Sequence, residues 1–186
     1  MEQFNQQIGE RLRALRKSRG LSLDRTAQAT GVSKAMLGQI ERGESSPTVA
    51  VLWRIATGLE VPLSSLLEES RTGTQIMADG GQRRMPLDTT DQPLEPLFPY
   101  DENTGIEVFV IDLAPGKCQL SPAHNKGVTE HIIVIEGVME VLVDQQWHRL
   151  TKGEAIRFDA NQPHGYRNPG DTTASFHDLI HYQNQR

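Results

Sequence analysis

The chain has 186 residues, 37% of them hydrophobic and 5% aromatic, a balance ordinary for one or two soluble globular domains. No apolar run reaches the roughly 18–20 residues that span a bilayer. The opening "MEQFNQQIGERLR" has no apolar secretion core, and a single cysteine, Cys118, excludes an intrachain disulfide framework. The expectation is a cytoplasmic protein without membrane contact, with Cys118 a buried small residue. The net charge of −5 is unevenly spread. Residues 1–42 hold eight Lys+Arg against four Asp+Glu, whereas residues 71–186 hold ten against sixteen. The basic end suits a polyanion and the acidic remainder repels one.

Helical signals come first and fill residues 1–69. "IGERLRALRKSRG" sets Ile8, Leu12 and Leu15 at helical spacing and stops at Gly20. Ser22 can cap "LDRTAQATG", which stops at Gly31, and Ser33 can cap "KAMLGQIERG", with Leu37 and Ile40 inward. Thr48 opens "VAVLWRIATG", whose stripe is Val49, Leu52, Trp53, Ile55 and Ala56, and "VPLSSLLEE" is a short fifth helix. Residues 70–99, rich in Gly, Pro, Asp and Thr, read as a linker and an irregular approach to a second domain. Residues 100–186 carry strand signals without intervening helices: "GIEVFVIDLAPG", "EHIIVIEG", "VMEVLVD", "QWHRLTKGEAIRFDA", "HGYRN" and "TASFHDLIHY". The predicted fold class is α + β in two domains, an all-α unit followed by an all-β sandwich or barrel.

Two short helices joined by the tight turn "TGVS" fit a helix-turn-helix, with Gly31 where a positive φ is wanted. The second helix then offers its first residues to the major groove. Lys34 can donate to guanine, Gln39 can pair with adenine, and Ala35 and Met36 can touch a thymine methyl, with Ser33 at the helix start. Gln28, Arg42 and Ser45 are placed to meet phosphates, and the helix N-terminus itself favours an anion. Together Gln28, "GVSKAMLGQIERG" and "SSPTVAVLWRIATGL" resemble the lambda-repressor-like, or XRE-type, helix-turn-helix family. The resemblance implies a five-helix domain that binds double-stranded DNA.

Later residues carry a second resemblance. Glu130 and Gly137 are separated by six residues. Gly153, Asp159, Asn161, His164 and Asn168 follow the spacing G(X)5PXG(X)2H(X)3N, with Asp159 in place of proline and Asn161 in place of glycine. Asn tolerates the left-handed backbone that glycine supplies there. This is similar to the second signature motif of the cupin family, a jelly-roll barrel. The first motif, G(X)5HXH(X)3,4E(X)6G, is matched with one histidine only. Either His124 is the second and Pro122 replaces the first, or His124 is the first and Lys126 replaces the second. Carried over, the family's metal ligands are His124, Glu130 and His164.

Three N/O ligands suit several divalent ions, with zinc the first choice. Alternation along a strand turns His131 away if Glu130 faces inward. His177 and His181 share one face about 13 Å apart, so only one could join the site, and His177 is preferred. Helix-turn-helix plus cupin resembles an architecture of bacterial transcription regulators, and "LFPYD", "EHIIVIEG" and "LIHY" resemble its sulphur-utilisation subgroup. That implies a homodimer on an inverted-repeat operator and a small-molecule effector, a sulphur-containing amino acid or metabolite. No catalysis is expected. The alternative is a metal-dependent cupin enzyme fused to a DNA-binding domain.

Overall fold

The computed structural model describes residues 2–67, 84–86 and 96–183. Five helices come first: α1 Glu2–Ser18, α2 Leu23–Thr30, α3 Lys34–Glu41, α4 Val49–Gly58 and α5 Ser64–Leu67. The first begins a turn and a half before Ile8, because Phe4 extends the stripe of Ile8, Leu12 and Leu15 and packs on the same core. Ser22, Ser33 and Thr48 each cap the next helix by accepting from the backbone N–H three residues on. Gly31 ends α2 at φ 63°, and this left-handed residue lets α3 leave at an angle. The guanidinium of Arg16 forks onto both carboxylate oxygens of Glu41, at 2.6 and 2.8 Å, and ties α1 to the end of α3.

Ten strands follow: β1 Arg84–Pro86, β2 Phe98–Asp101, β3 Ile106–Leu113, β4 Cys118–Ser121, β5 Val128–Glu136, β6 Val138–Val143, β7 Gln146–Thr151, β8 Ala155–Asp159, β9 His164–Arg167 and β10 Ala174–Tyr182. Seven of them fall on the predicted runs. Of the other three, β4 lies between two of the predicted runs, while β1 and β2 begin inside the segment expected to be a linker. The remainder of that segment, 70–83 and 87–95, lies outside the described residues, as do 68–69 and 184–186. One sheet has the order β1-β3-β10-β5-β8, with β2 also on β3; the other has the order β4-β9-β6-β7.

The inner faces of the two sheets meet in one core. Phe109, Ile111, Ile132, Val134 and Phe176 come from the first sheet, and Met139, Val141, Leu150 and Tyr166 from the second. Among the described strands no hydrogen-bonded ladder joins the two sheets, so the unit is a two-sheet sandwich rather than a closed ring. Cys118 is exposed, contrary to the expectation of a buried position, because β4 is a short edge strand with its outward side at that residue.

The helical unit is fastened to the sandwich. Glu107 of β3, fully buried, accepts the backbone N–H of Leu63 at 3.1 Å and of Ser64 at 2.8 Å, and also the Tyr182 hydroxyl. The N–H of Tyr100 donates to Ser64 Oγ at 2.8 Å. These bonds satisfy the free N–H groups at the start of α5 and bring α4 over one end of the sandwich.

Candidate functional site

The first helices present a polar, accessible face. Gln28 on α2 and Ser33, Lys34, Ala35, Met36, Gln39 and Arg42 on or beside α3 are all exposed, and Ser45 is half-buried. Met36 keeps 39% of its surface in water, a large apolar side chain with no core to fill. Leu37, Gly38 and Ile40 form the buried side of the same helix, so the outward residues are rigidly set. Lys34 pairs with Asp24 of α2 at 2.8 Å and Arg42 forks onto Glu44. Both pairs are exposed and salt-screened, so an anion can replace the carboxylate partner.

A second site lies inside the sandwich. Glu130 faces inward from β5, His164 inward from the start of β9, and His124 reaches in from the loop after β4. Their donor atoms all lie within 4.8 Å of one another. His124 Nε2 is 2.8 Å and His164 Nε2 is 3.4 Å from Glu130 Oε1. The three residues are 8%, 0% and 2% exposed. His164 Nδ1 meets the Gln162 carbonyl at 2.9 Å. A carbonyl only accepts, so Nδ1 carries the proton and Nε2 is turned to the carboxylate.

Glu130 Oε1 and His164 Nε2 have no well-aligned hydrogen-bond partner. Two converging acceptors with nothing between them are what a divalent ion satisfies. Four-coordinate zinc spaces its donors about 3.3 Å apart, and the two separations to Glu130 Oε1, 2.8 and 3.4 Å, lie to either side of that. The residues present therefore fit an ion. Burial opposes charge on Glu130, but the close approach of the His124 and His164 rings holds its carboxyl below the usual range. Burial likewise opposes a charged His164, and its contacts with Glu130 outweigh that and raise its pKa.

Further residues line this cavity. The Tyr166 hydroxyl donates to Glu130 Oε2, and burial with the Glu130 charge pushes its pKa well above the usual value. Asp178 enters from β10 with Oδ1 unpartnered, its pKa raised by burial and then by the charge of Glu130. His177, expected as an additional ligand or effector contact, is set apart. Phe176, Asp178 and Ile180 take the inner face of β10, so alternation turns His177 outward. Pro122 and Lys126, the two alternative positions of the motif's other histidine, are exposed on grooves at the junction of the two units.

The helical unit closes the cavity. Val49 and Trp53 of α4 form part of its wall. The Trp53 ring stacks on His124 at 4.7 Å and 27° and meets Phe109 edge-on at 6.3 Å. Thr57 Oγ1 lies 3.4 Å from His124 Nδ1, and the Asn125 amide donates to the Thr57 carbonyl at 3.2 Å. Residues 49, 53 and 57 are one stripe of α4, four residues apart. With this stripe in place the free volume beside the ligands is about 10 Å³.

Comparison with known proteins agrees with both halves. A helix-turn-helix family profile matches residues 12–66 and a cupin-domain profile residues 109–180. The HTH-type transcriptional regulator SutR of Escherichia coli (strain K12) is 48% identical over 182 residues, 98% of each chain. The chain belongs to the family of helix-turn-helix transcriptional regulators that carry a cupin domain. A solved structure of an HTH_3 family transcriptional regulator from Vibrio cholerae is 46% identical, covers 98% of this chain and 99% of its own, and superposes with a TM-score of 0.81. The regulator SinR of Bacillus subtilis (strain 168) is 36% identical over 63 residues, 33% of this chain and 57% of its own.

In this cupin-carrying regulator, four residues of the buried site escaped the sequence. Tyr166 had a signal, since it alternates in phase with His164. Asp178 had one too, a carboxylate in phase with Phe176 and Ile180. Trp53 and Thr57 had none, because nothing in α4 says which of its apolar positions leave the helical core.

Proposed function

We propose that this regulator reads an inverted-repeat operator as a homodimer in the cytoplasm. In this reading residues 1–69 are the DNA-binding unit, 70–99 the connection and 100–186 the sensor. Ser33, Lys34, Ala35, Met36 and Gln39 meet base edges, and Gln28, Arg42 and Ser45 meet phosphates. Two copies place their α3 helices about 34 Å apart in successive major grooves. The sensor holds a divalent ion, zinc first, through His124, Glu130 and His164. Such an ion supplies a Lewis-acidic centre whose remaining positions take a ligand atom of the effector or water. A sulphur-containing amino acid or metabolite is the effector class that the sequence resemblance supports.

The single observation that carries this reading is the seating of α4. One helix of the DNA-binding unit forms a wall of the cavity that holds the three ion-ligating residues. An occupant of the cavity and the placement of α3 are then linked, and a coupling of about 1–3 kcal/mol shifts operator affinity roughly 5–150-fold. About 10 Å³ beside the ligands holds one water or ion, so an effector reaches the ion only as α4 shifts. To test it, the purified chain is assayed for bound metal by mass spectrometry and screened with amino acids and sulphur metabolites by thermal shift. A hit that alters a DNA gel shift supports the regulator. A hit that is turned over, with DNA binding unaltered, contradicts it.

A further inference from the structure

His124 is held from both domains. Its Nε2 points to Glu130 within the sandwich, while its Nδ1 and its ring face are met by Thr57 and Trp53 of α4. Resting on the reading of this cluster as an ion site, we propose that α4 supplies the outer support of that site: Thr57 offers a hydrogen-bond partner to Nδ1 of His124 and Trp53 fixes its ring plane. When Nε2 ligates an ion, Nδ1 carries the proton and donates it to Thr57 Oγ1. A histidine ligand held in this way binds about 10–100-fold more tightly than one left loose. His164 takes its equivalent support from the Gln162 carbonyl of its own domain. Only His124 depends on the DNA-binding unit.

The far side of the same helix completes the connection. Arg54, next to Trp53, donates through Nη2 to the Gly31 carbonyl at the turn that launches α3. Trp53, Arg54 and Thr57 thus join His124 to the helix-turn-helix turn through a single rigid element of three turns. Ion affinity and the seating of the DNA-binding unit are reciprocal consequences of one contact. Thr57 and Trp53 are positioning residues, since neither touches the ion.

The test uses the full chain and Zn²⁺ alone. Zinc affinity is measured by competition with a chromophoric chelator, and Trp53 emission is followed in a W147F background, where Trp53 is the remaining tryptophan. The expected result is that T57V weakens zinc binding about tenfold, T57S restores it, and Trp53 emission changes with zinc at the same midpoint. Should T57V fail to fold, W53F keeps the core filled and is expected to weaken zinc binding likewise. Zinc bound equally by wild type, T57V and W53F, with Trp53 emission unmoved, overturns this proposal and leaves the ion site standing. Wild-type protein that takes up no divalent ion overturns both.

Discussion

Lys34 is the side chain whose loss should be felt most specifically. It stands in the first turn of α3, exposed, and is held by Asp24 until an anion or a base edge replaces that partner. Lys34→Ala is expected to lower preference for a selected operator by about 1–3 kcal/mol while leaving binding to bulk DNA nearly unchanged. Equal operator affinities of wild type and variant in a competition assay would place the recognition surface elsewhere. Within the sandwich, Glu130→Gln removes the one charge on which His124 and His164 converge. The variant should retain no stoichiometric ion when analysed by mass spectrometry, and full ion content would rule out Glu130 as a ligand. These two sites differ in how visible they were. His164 and Asn168 sit on one short strand and its following turn, where chain geometry fixes the spacing of a motif. His177 and Asp178 are neighbours on β10, and period-2 alternation lets only one face inward. The sequence offers both phases, and packing of Phe176 and Ile180 chooses the one with the carboxylate inside.

Among the elements, α4 has the most demanding position, since it packs on α2 with one side and on the sandwich with another. Gly58 marks the tightest approach. A Cβ there would lie 2.5 Å from the Ala29 carbonyl oxygen and 2.6 Å from Thr30 Cα, both backbone atoms that cannot rotate away. Gly58→Ala should therefore destabilise the helical unit by about 1–3 kcal/mol in denaturant titrations, despite alanine's better helix propensity. An unchanged midpoint would mean that α2 and α4 part more easily than this packing implies. The short α5 is held differently, by the Glu107 carboxyl. Burial pushes that group above its ordinary 4.5, against the hydrogen bonds from Ser64, Tyr182 and Leu63 that pull it down. The folded chain then holds the proton more tightly than the unfolded one. The stability this gives is complete below pH 4.5 and is lost as pH rises through the raised folded value. The melting temperature of wild type relative to Glu107→Gln should fall across that window, and a pH-independent difference would contradict it. Helix boundaries were legible from caps, and Ser22, Ser33 and Thr48 all serve as read. The partner of α4 was not, because a stripe of Val49, Leu52, Trp53, Ile55 and Ala56 is wide enough to serve two surfaces and periodicity cannot divide it. Misplacing Cys118 had a similar origin, since a four-residue edge strand leaves too few positions to set its phase.

For the whole molecule, the essential feature is that α4 packs on α2 with one side and walls the cavity of His124 and Glu130 with another. The acidic second half of the chain keeps phosphate on the α3 side, so binding should weaken steeply with salt through the basic front alone. In the proposed function, a sequence-specific DNA reader is governed from the cavity beneath it. The most direct measurement of this is the dissociation constant for a fragment enriched from genomic DNA, set against bulk competitor at one fixed salt concentration, with Zn²⁺ present and after chelation. The expected result is a preference of about 10³-fold or more for the fragment, and an affinity that changes at least about fivefold between the two states. A chain that prefers no fragment in either state, or binds its fragment identically with and without the ion, would contradict it.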